Sequence, residues 1–111
     1  MEIEKDITNR AVAELKTLFG EKLKRVILYG SYARGDFHEE SDVDIMALLD
    51  VEQERVRDYS RQVVRISGDI GMDNNIYVSI MLRNFDFFFK KLNVSHFYRN
   101  VMKDGKELYC G

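Results

Sequence analysis

A chain of 111 residues provides for one domain, residues 1–111, with a single core and a single site. Lys and Arg number 17 against 19 Asp and Glu, and this net charge of −2 argues against strong nucleic-acid binding. The one cysteine, Cys110, excludes an internal disulfide and a cysteine-based metal site. A charged N-terminus and the shortness of the apolar runs indicate neither a signal peptide nor a membrane span, so we expect a cytoplasmic protein.

The spacing of apolar residues divides the chain into alternating helices and strands. Recurrence every three or four residues predicts helices, whereas short apolar runs between turn formers predict strands. The predicted elements are, in chain order, a helix over residues 3–19, strands over 26–29 and 42–49, a helix over 51–66, a loop over 67–75, a strand over 76–82, and helices over 85–92 and 96–105. This alternation predicts an α/β (α+β) domain in which helices flank a small mixed sheet of three or four strands.

The predicted C-terminal helices carry a segment that is rich in aromatic and basic residues. Four phenylalanines fall within residues 85–89, and they cannot all face one core. Most of them are expected to pack inside the domain. The others, with the adjacent lysines, form a candidate surface for self-association or for a protein partner. Its candidate residues are Phe87, Phe88, Lys90 and Lys91.

The end of the first predicted strand has the features of a phosphate-binding turn. Gly30 and Ser31 follow the apolar run, and a helix that begins there would direct backbone N–H groups toward an anion. Gly30 has no Cβ, so a phosphate can approach the backbone closely. Ser31 adds a hydroxyl donor, and Arg34 can form bidentate contacts with a phosphate or a carboxylate.

Two carboxylates begin the second predicted strand. Asp42 and Asp44 are two residues apart, so in a strand they share one face at a spacing of about 6.5 Å. They repel each other unless a cation lies between them, and Mg²⁺ favours one or two carboxylates together with phosphate oxygens and water. Most Asp-x-Asp pairs are solvated strand ends, and a Gly-Ser turn alone indicates little. Together they predict a site for a metal ion and a polyphosphate.

The turn and the carboxylate pair form the pattern GSx10DxD, and the flanking residues extend the match. This pattern resembles that of the minimal nucleotidyltransferases of the polymerase-β-like superfamily. The resemblance implies the nucleotidyltransferase fold and the transfer of a nucleotide, AMP from ATP being the expected case, to a hydroxyl of a protein or small molecule. It implies Gly30 and Ser31 as the phosphate site, and the catalytic residues Asp42 and Asp44 as the site for Mg²⁺, or Mn²⁺ in its place. Arg34 and Ser41, which flank these residues, are further candidates for nucleotide binding.

One feature that the resemblance implies is absent from the third predicted strand. Family members supply a third carboxylate there, whereas NIYVSIML contains no acid and has Ser79 at the corresponding position. Serine neither binds a second Mg²⁺ strongly nor acts as a base near neutral pH. Asp69, Asp73 or Asp86 would serve only if the predicted loop or the next helix folds back.

Three hypotheses therefore stay open: an active nucleotidyltransferase, a partner-binding module without catalysis, and a nucleotide sensor. The resemblance also implies a small helical protein partner, often a HEPN-type toxin, which would make the chain an antitoxin.

Overall fold

The protein is described by a computed structural model that covers residues 2–37 and 42–111, with side chains from residue 4 onward. In chain order, the elements are α1 (Glu2–Phe19), a 3₁₀ turn (Gly20–Lys22), β1 (Leu23–Tyr29), α2 (Ser31–Arg34), β2 (Val43–Leu49), a 3₁₀ helix (Gln53–Tyr59), α3 (Ser60–Asn74), β3 (Val78–Asn84), α4 (Phe85–Lys90), α5 (His96–Asp104) and β4 (Lys106–Cys110). Within this described part, no helix is both long and apolar enough to cross a membrane.

The strands form one four-stranded mixed sheet in the order β3-β2-β1-β4. β1 is antiparallel to both β2 and β4, whereas β2 and β3 are parallel. This arrangement confirms the predicted small mixed sheet flanked by helices. The central strands are apolar on both sides because each side of the sheet is covered by helices.

Two clusters of apolar side chains lie on opposite faces of this sheet. Ile7 and Leu15 of α1 and Ile70 of α3 are fully buried against one face. On the other face, Phe88 of α4 and Val101 of α5 pack in the second cluster. Side chains of β1 and β2 contribute to both clusters, so these two strands connect the two halves of the core.

The loop predicted over residues 67–75 is wrong, because α3 continues to Asn74. Ile70 is fully buried and holds this part of the chain against the core. One of the two glycines that suggested a turn, Gly71, has another role: a Cβ there would lie 2.6 Å from the carbonyl oxygen of Ile76. The helix ends at Asn75, which adopts a left-handed conformation with φ +52°.

β4 was not among the predicted elements. Its five residues show no strict alternation of buried and exposed positions, since only Leu108 and Tyr109 are half-buried. Pairing with β1 therefore stabilises this strand, and its own periodicity gives no signal.

The predicted partner surface near the C-terminus included Phe88, and this part of the prediction is wrong. Phe88 has no exposed surface and belongs to the second core cluster. Phe87 is half-buried, with the ammonium group of Lys91 5.7 Å from its ring centroid. Lys90 and Lys91 are exposed.

Candidate functional site

The turn after β1 depends on glycine. Gly30 has φ +77° and ψ −158°, a region that is almost restricted to glycine. The turn leads directly into α2, where the N–H groups of Ala33 and Arg34 each donate to the Gly30 carbonyl at 3.1 Å. Gly30 is the N-cap of this short helix and provides no side-chain acceptor for its first N–H groups. The start of α2 thus has no side-chain cap from Gly30.

This turn lies directly against one of the two carboxylates. Tyr29, the last residue of β1, pairs with Asp44 of β2. A Cβ built on Gly30 would lie only 2.5 Å from the Oδ2 atom of Asp44. The space that a side chain would need at Gly30 is therefore occupied by the Asp44 carboxylate.

The electrostatic environment of the carboxylate pair suits a cation. Asp44 is half-buried and Asp42 is exposed. The pKa of Asp44 is raised, first by burial and then by the negative charge of Asp42, while Arg34 opposes the shift. A bound divalent cation would relieve both the desolvation and the repulsion. No group of three His, Cys, Asp or Glu side chains suited to a metal ion occurs among residues 4–37 and 42–111. The two carboxylates fit Mg²⁺, which takes its remaining ligands from phosphate and water.

Arg34 lies at the edge of this site. Its guanidinium group is exposed, and its Nε atom donates to Asp36 Oδ2 at 3.2 Å. Its charge also lowers the pKa of Asp44, so it lies within electrostatic reach of the carboxylate pair. Such an exposed ion pair contributes little stability, and Arg34 can exchange Asp36 for a phosphate at small cost. Ser41, which was predicted to contact the nucleotide, lies outside the described residues.

The strand beside Asp44 has no carboxylate at the corresponding position. Asp44 pairs with Ser79 in the parallel ladder between β2 and β3, and Ser79 is exposed. The alternative in which Asp73 folds back is wrong, because its Oδ2 accepts a hydrogen bond from Arg10 Nη1 at 2.6 Å. Arg10 belongs to α1, on the other face of the sheet. Asp69 and Asp86 are exposed, and neither joins a three-ligand group with the Asp42–Asp44 pair.

An aromatic wall, formed by Tyr29 and Phe97, lies beside Asp44 and was not predicted from the sequence. Tyr29 is buried, and its ring meets that of Phe97 edge-on at a centroid distance of 5.6 Å. Burial and the charge of Asp44 raise the pKa of Tyr29 to about 12, with Arg83 opposing them. The phenol is therefore neutral over the physiological range. The Nε atom of Arg83 donates to the hydroxyl of Tyr98 at 2.8 Å, which fixes α5 against β3.

The sequence signal for this wall is weak. Tyr29 precedes the turn and Phe97 lies in a distant helix, so only the strand register and the packing of α5 bring them together.

The chain belongs to the nucleotidyltransferase domain family, whose model matches residues 9–108. Two relatives from Methanocaldococcus jannaschii carry the provisional name protein adenylyltransferase. One is 37% identical over 98 residues, which are 88% of this chain and 90% of the relative. The other is 33% identical over 95 residues, which are 86% of this chain and 88% of the relative.

Solved structures with the same fold extend this similarity. A provisionally assigned nucleotidyltransferase from Sulfolobus solfataricus is 21% identical, with a TM-score of 0.59 over 98% of this chain and 85% of that chain. A toxin–antitoxin crystallised with AMP-PNP is 19% identical, with a TM-score of 0.57 over 94% of this chain and 73% of that chain. The toxin–antitoxin MntA–HepT is 16% identical, with a TM-score of 0.55 over 96% and 73% of the two chains. These likenesses establish the fold.

Proposed function

We propose that this chain is a Mg²⁺-dependent nucleotidyltransferase that transfers AMP from ATP to a hydroxyl group of a protein or small molecule. The observation that carries the proposal is the contact between the Gly30 turn and Asp44 in a chain of the nucleotidyltransferase family. The two relatives named as protein adenylyltransferases support AMP as the transferred group and a protein as the acceptor.

The residues of the site divide the work between phosphate and cation. Gly30 and Ser31 bind the β- and γ-phosphates, and Arg34 releases Asp36 to contact the triphosphate. Asp42 and Asp44 hold Mg²⁺, or Mn²⁺ in its place. When bound, the cation neutralises the triphosphate and polarises the α-phosphate.

The reaction itself needs little covalent help from the protein. The acceptor oxygen attacks the α-phosphorus, a new P–O bond forms, and the bond to the β-phosphate oxygen breaks to release pyrophosphate. The proton of the acceptor hydroxyl passes to water or to another solvent base, since the strand position beside Asp44 holds a serine. Positioning and charge neutralisation account for most of the rate.

Calorimetric titration with ATP and Mg²⁺ tests the carboxylate assignment. The double variant Asp42→Asn/Asp44→Asn is expected to retain the fold and to lose Mg²⁺-dependent ATP binding. Asp50→Asn is a matched control, since Asp50 is an exposed carboxylate that follows the other end of the same strand. Equal affinity of the wild type and the double variant would contradict the assignment.

A second candidate function follows from Ser79, which stands where a third carboxylate is implied. In this case the chain binds nucleotide but acts as an antitoxin by covering a small helical toxin. The toxin–antitoxin structures that share its fold support a protein partner. The same partner could be neutralised by binding or by addition of AMP.

Transfer of labelled AMP to a co-purified partner separates the two candidates. Transfer by the wild type supports the enzyme, whereas tight binding without transfer supports the module. If the module is correct, Ser79→Asp should create or raise transfer by about a hundredfold, because it adds a carboxylate beside Asp44. Ser79→Asn, of similar size but without charge, should have no such effect.

A further inference from the structure

The outer edge of β3 has the properties of a binding site for another strand. β3 ends the sheet order β3-β2-β1-β4, so one of its two sides faces away from the described sheet. The carbonyl of Tyr77, just before β3, accepts a hydrogen bond from the N–H of Val43 at 2.9 Å and thus points toward β2. Because backbone groups alternate in direction along a strand, those of Val78, Ile80 and Leu82 point outward.

One end of this edge is closed by a side chain. The Oε1 atom of Gln53 accepts a hydrogen bond from the N–H of Asn84 at 2.8 Å. Asn84 lies two residues after Leu82, so its backbone groups should point outward as well. The hydrogen bond confirms which backbone groups face outward. The carbonyl of Leu82 accepts a hydrogen bond from Arg83 Nη1 at 2.7 Å, and a Cβ on Gly71 of α3 would lie only 3.7 Å from the Val78 nitrogen. The outward-pointing groups between these two ends are both backbone groups of Ile80 and the N–H of Leu82.

A groove follows the open edge. A cavity of about 640 Å³ is lined on one side by residues 79–83 and on the other by the 3₁₀ helix and the first turns of α3. Five consecutive strand residues can line one cavity only where the edge, and not a face, forms its wall. A second cavity of about 490 Å³ continues the groove along residues 76–78 and the C-terminal half of α3.

The walls of the groove carry exposed apolar side chains. Val64, which lines both cavities, is 67% exposed, while Met72 and Tyr77 in the second cavity are 84% and 81% exposed. Large apolar side chains that cluster on an open surface mark an interaction site. They would contact alternate side chains of an added strand.

A row of arginines borders the same groove. Arg57, Arg61 and Arg65 lie four residues apart, are exposed, and line a neighbouring cavity of about 710 Å³ together with one acid, Asp58. The groove itself has one acid, Glu54, and two arginines, Arg57 and Arg83, in its lining. Arg57 and Val64 belong to both this cavity and the groove. None of the three arginines forms an ion pair within residues 4–37 and 42–111. The net charge of the whole chain is −2, so this positive row is a local feature.

The charge of the groove selects among possible occupants. Two copies of this chain paired edge to edge would bring their arginine rows together, and like charges at an interface are unfavourable. A nucleic acid would use the arginines but neither the strand edge nor the apolar wall. An extended peptide with acidic side chains matches all three features.

We propose that the open edge of β3 binds an extended acidic segment of a partner protein, which adds to the sheet as a fifth strand. Its backbone pairs with Ile80 and with the N–H of Leu82, its apolar side chains contact Val64 and Met72, and its carboxylates meet the arginine row. Ser79 on this strand pairs with Asp44 of β2, so β3 alone separates the bound segment from the strand that carries the proposed catalytic carboxylate Asp44. Docking requires neither nucleotide nor metal ion, and it is therefore tested independently of nucleotidyl transfer.

The test uses a blocked synthetic peptide in which Glu alternates with Val and Ile, in buffer free of nucleotide and metal ions. Fluorescence anisotropy at low salt should show binding, and the amides of Ile80 and Leu82 should become protected from hydrogen exchange. The triple variant Arg57→Glu/Arg61→Glu/Arg65→Glu should weaken binding by about tenfold or more. Arg55→Glu is the matched control, since Arg55 is exposed on the same 3₁₀ helix but lines none of these cavities.

Four results would overturn the proposal. The first is no binding at millimolar peptide, and the second is equal binding of a peptide with Lys in place of Glu. The third is a dimer by light scattering in which the amides of Ile80 and Leu82 are already protected. The fourth is binding of single-stranded oligonucleotides to the arginine row while the acidic peptide fails to protect those amides. Circular dichroism verifies that the variants are folded.

Discussion

Asp44 is held in a position that disfavours its own charge when no cation is present. Burial and the neighbouring Asp42 raise the pKa of Asp44 in the folded protein above its ordinary value of 3.8. The folded state therefore binds a proton at Asp44 more readily than the unfolded state does, and the ionised carboxylate lowers stability. This cost is absent below the unfolded-state pKa and is fully present once the pH has risen through the folded-state pKa.

Asp44→Asn should accordingly raise the free energy of unfolding of the metal-free protein at neutral pH. The gain should shrink as the pH falls and vanish below about the ordinary carboxyl pKa, where both states are protonated. Urea unfolding in EDTA at a series of pH values measures it, with Asp50→Asn as the exposed control. A variant that is less stable than the wild type at neutral pH would show that Asp44 makes stabilising contacts beyond its charge.

Two features require glycine at position 30: the backbone conformation and the closeness of the Asp44 carboxylate. A second glycine that has only the first feature serves as a control. Gly30→Ala places a side chain in a backbone region that is almost restricted to glycine and also 2.5 Å from Asp44 Oδ2. We expect a loss of more than about 2 kcal/mol in the free energy of unfolding. Gly20→Ala is the control, because Gly20 has φ +55° but an added Cβ would meet nothing within 4 Å. Backbone strain alone should cost about 1 kcal/mol there.

Chemical denaturation of the two alanine variants compares these costs. ATP binding should be lost in Gly30→Ala and retained in Gly20→Ala, since Gly20 lies at the far end of β1. If the two variants lose the same free energy of unfolding, the Asp44 carboxylate moves aside at no cost. The close approach of Gly30 to Asp44 would then not constrain the turn.

Helices and strands whose apolar residues recur at a clear period could be predicted from the sequence. Elements that depend on contacts with other parts of the fold could not. The period of α1 fixes its buried face, with Ile7, Ala11 and Leu15 all fully buried. The predicted helix ended at residue 66, eight residues before the end of α3, because Gly68 and Gly71 suggested a turn. Gly71 is instead required for the close approach of the chain at Ile76. β4 exists through its pairing with β1, which no local pattern reveals.

The same distinction holds within the candidate site. The i, i+2 spacing of Asp42 and Asp44 and the glycine turn before them are local features, and the sequence was sufficient to group them. The pairing of Tyr29 with Asp44 and the approach of Phe97 depend on strand register and on the packing of α5. Ser79 could be named as the residue beside Asp44, but only the ladder between β2 and β3 establishes that register.

At the scale of the whole molecule, the candidate site is attached to both halves of the core. Its turn and carboxylates lie at the ends of β1 and β2, and these strands contribute side chains to the clusters on both faces of the sheet. A chain of 111 residues with such a connected core is expected to unfold as one unit. Binding at this end of the sheet should therefore stabilise the entire chain and not only the turn.

This coupling predicts a large thermal shift on binding. At a concentration about a hundredfold above Kd, a ligand that binds only the folded state adds about 2.7 kcal/mol to the free energy of unfolding. For a domain of this size each kcal/mol raises Tm by about 4–8 °C, so ATP with Mg²⁺ should raise Tm by about 10 °C or more. Differential scanning calorimetry measures the shift.

The Asp42→Asn/Asp44→Asn variant should show no shift in Tm, and ATP in EDTA should raise the Tm of the wild type far less. An equal shift with and without Mg²⁺ would mean that the triphosphate binds through the Gly30 turn and Arg34 alone, with no cation held by the carboxylates.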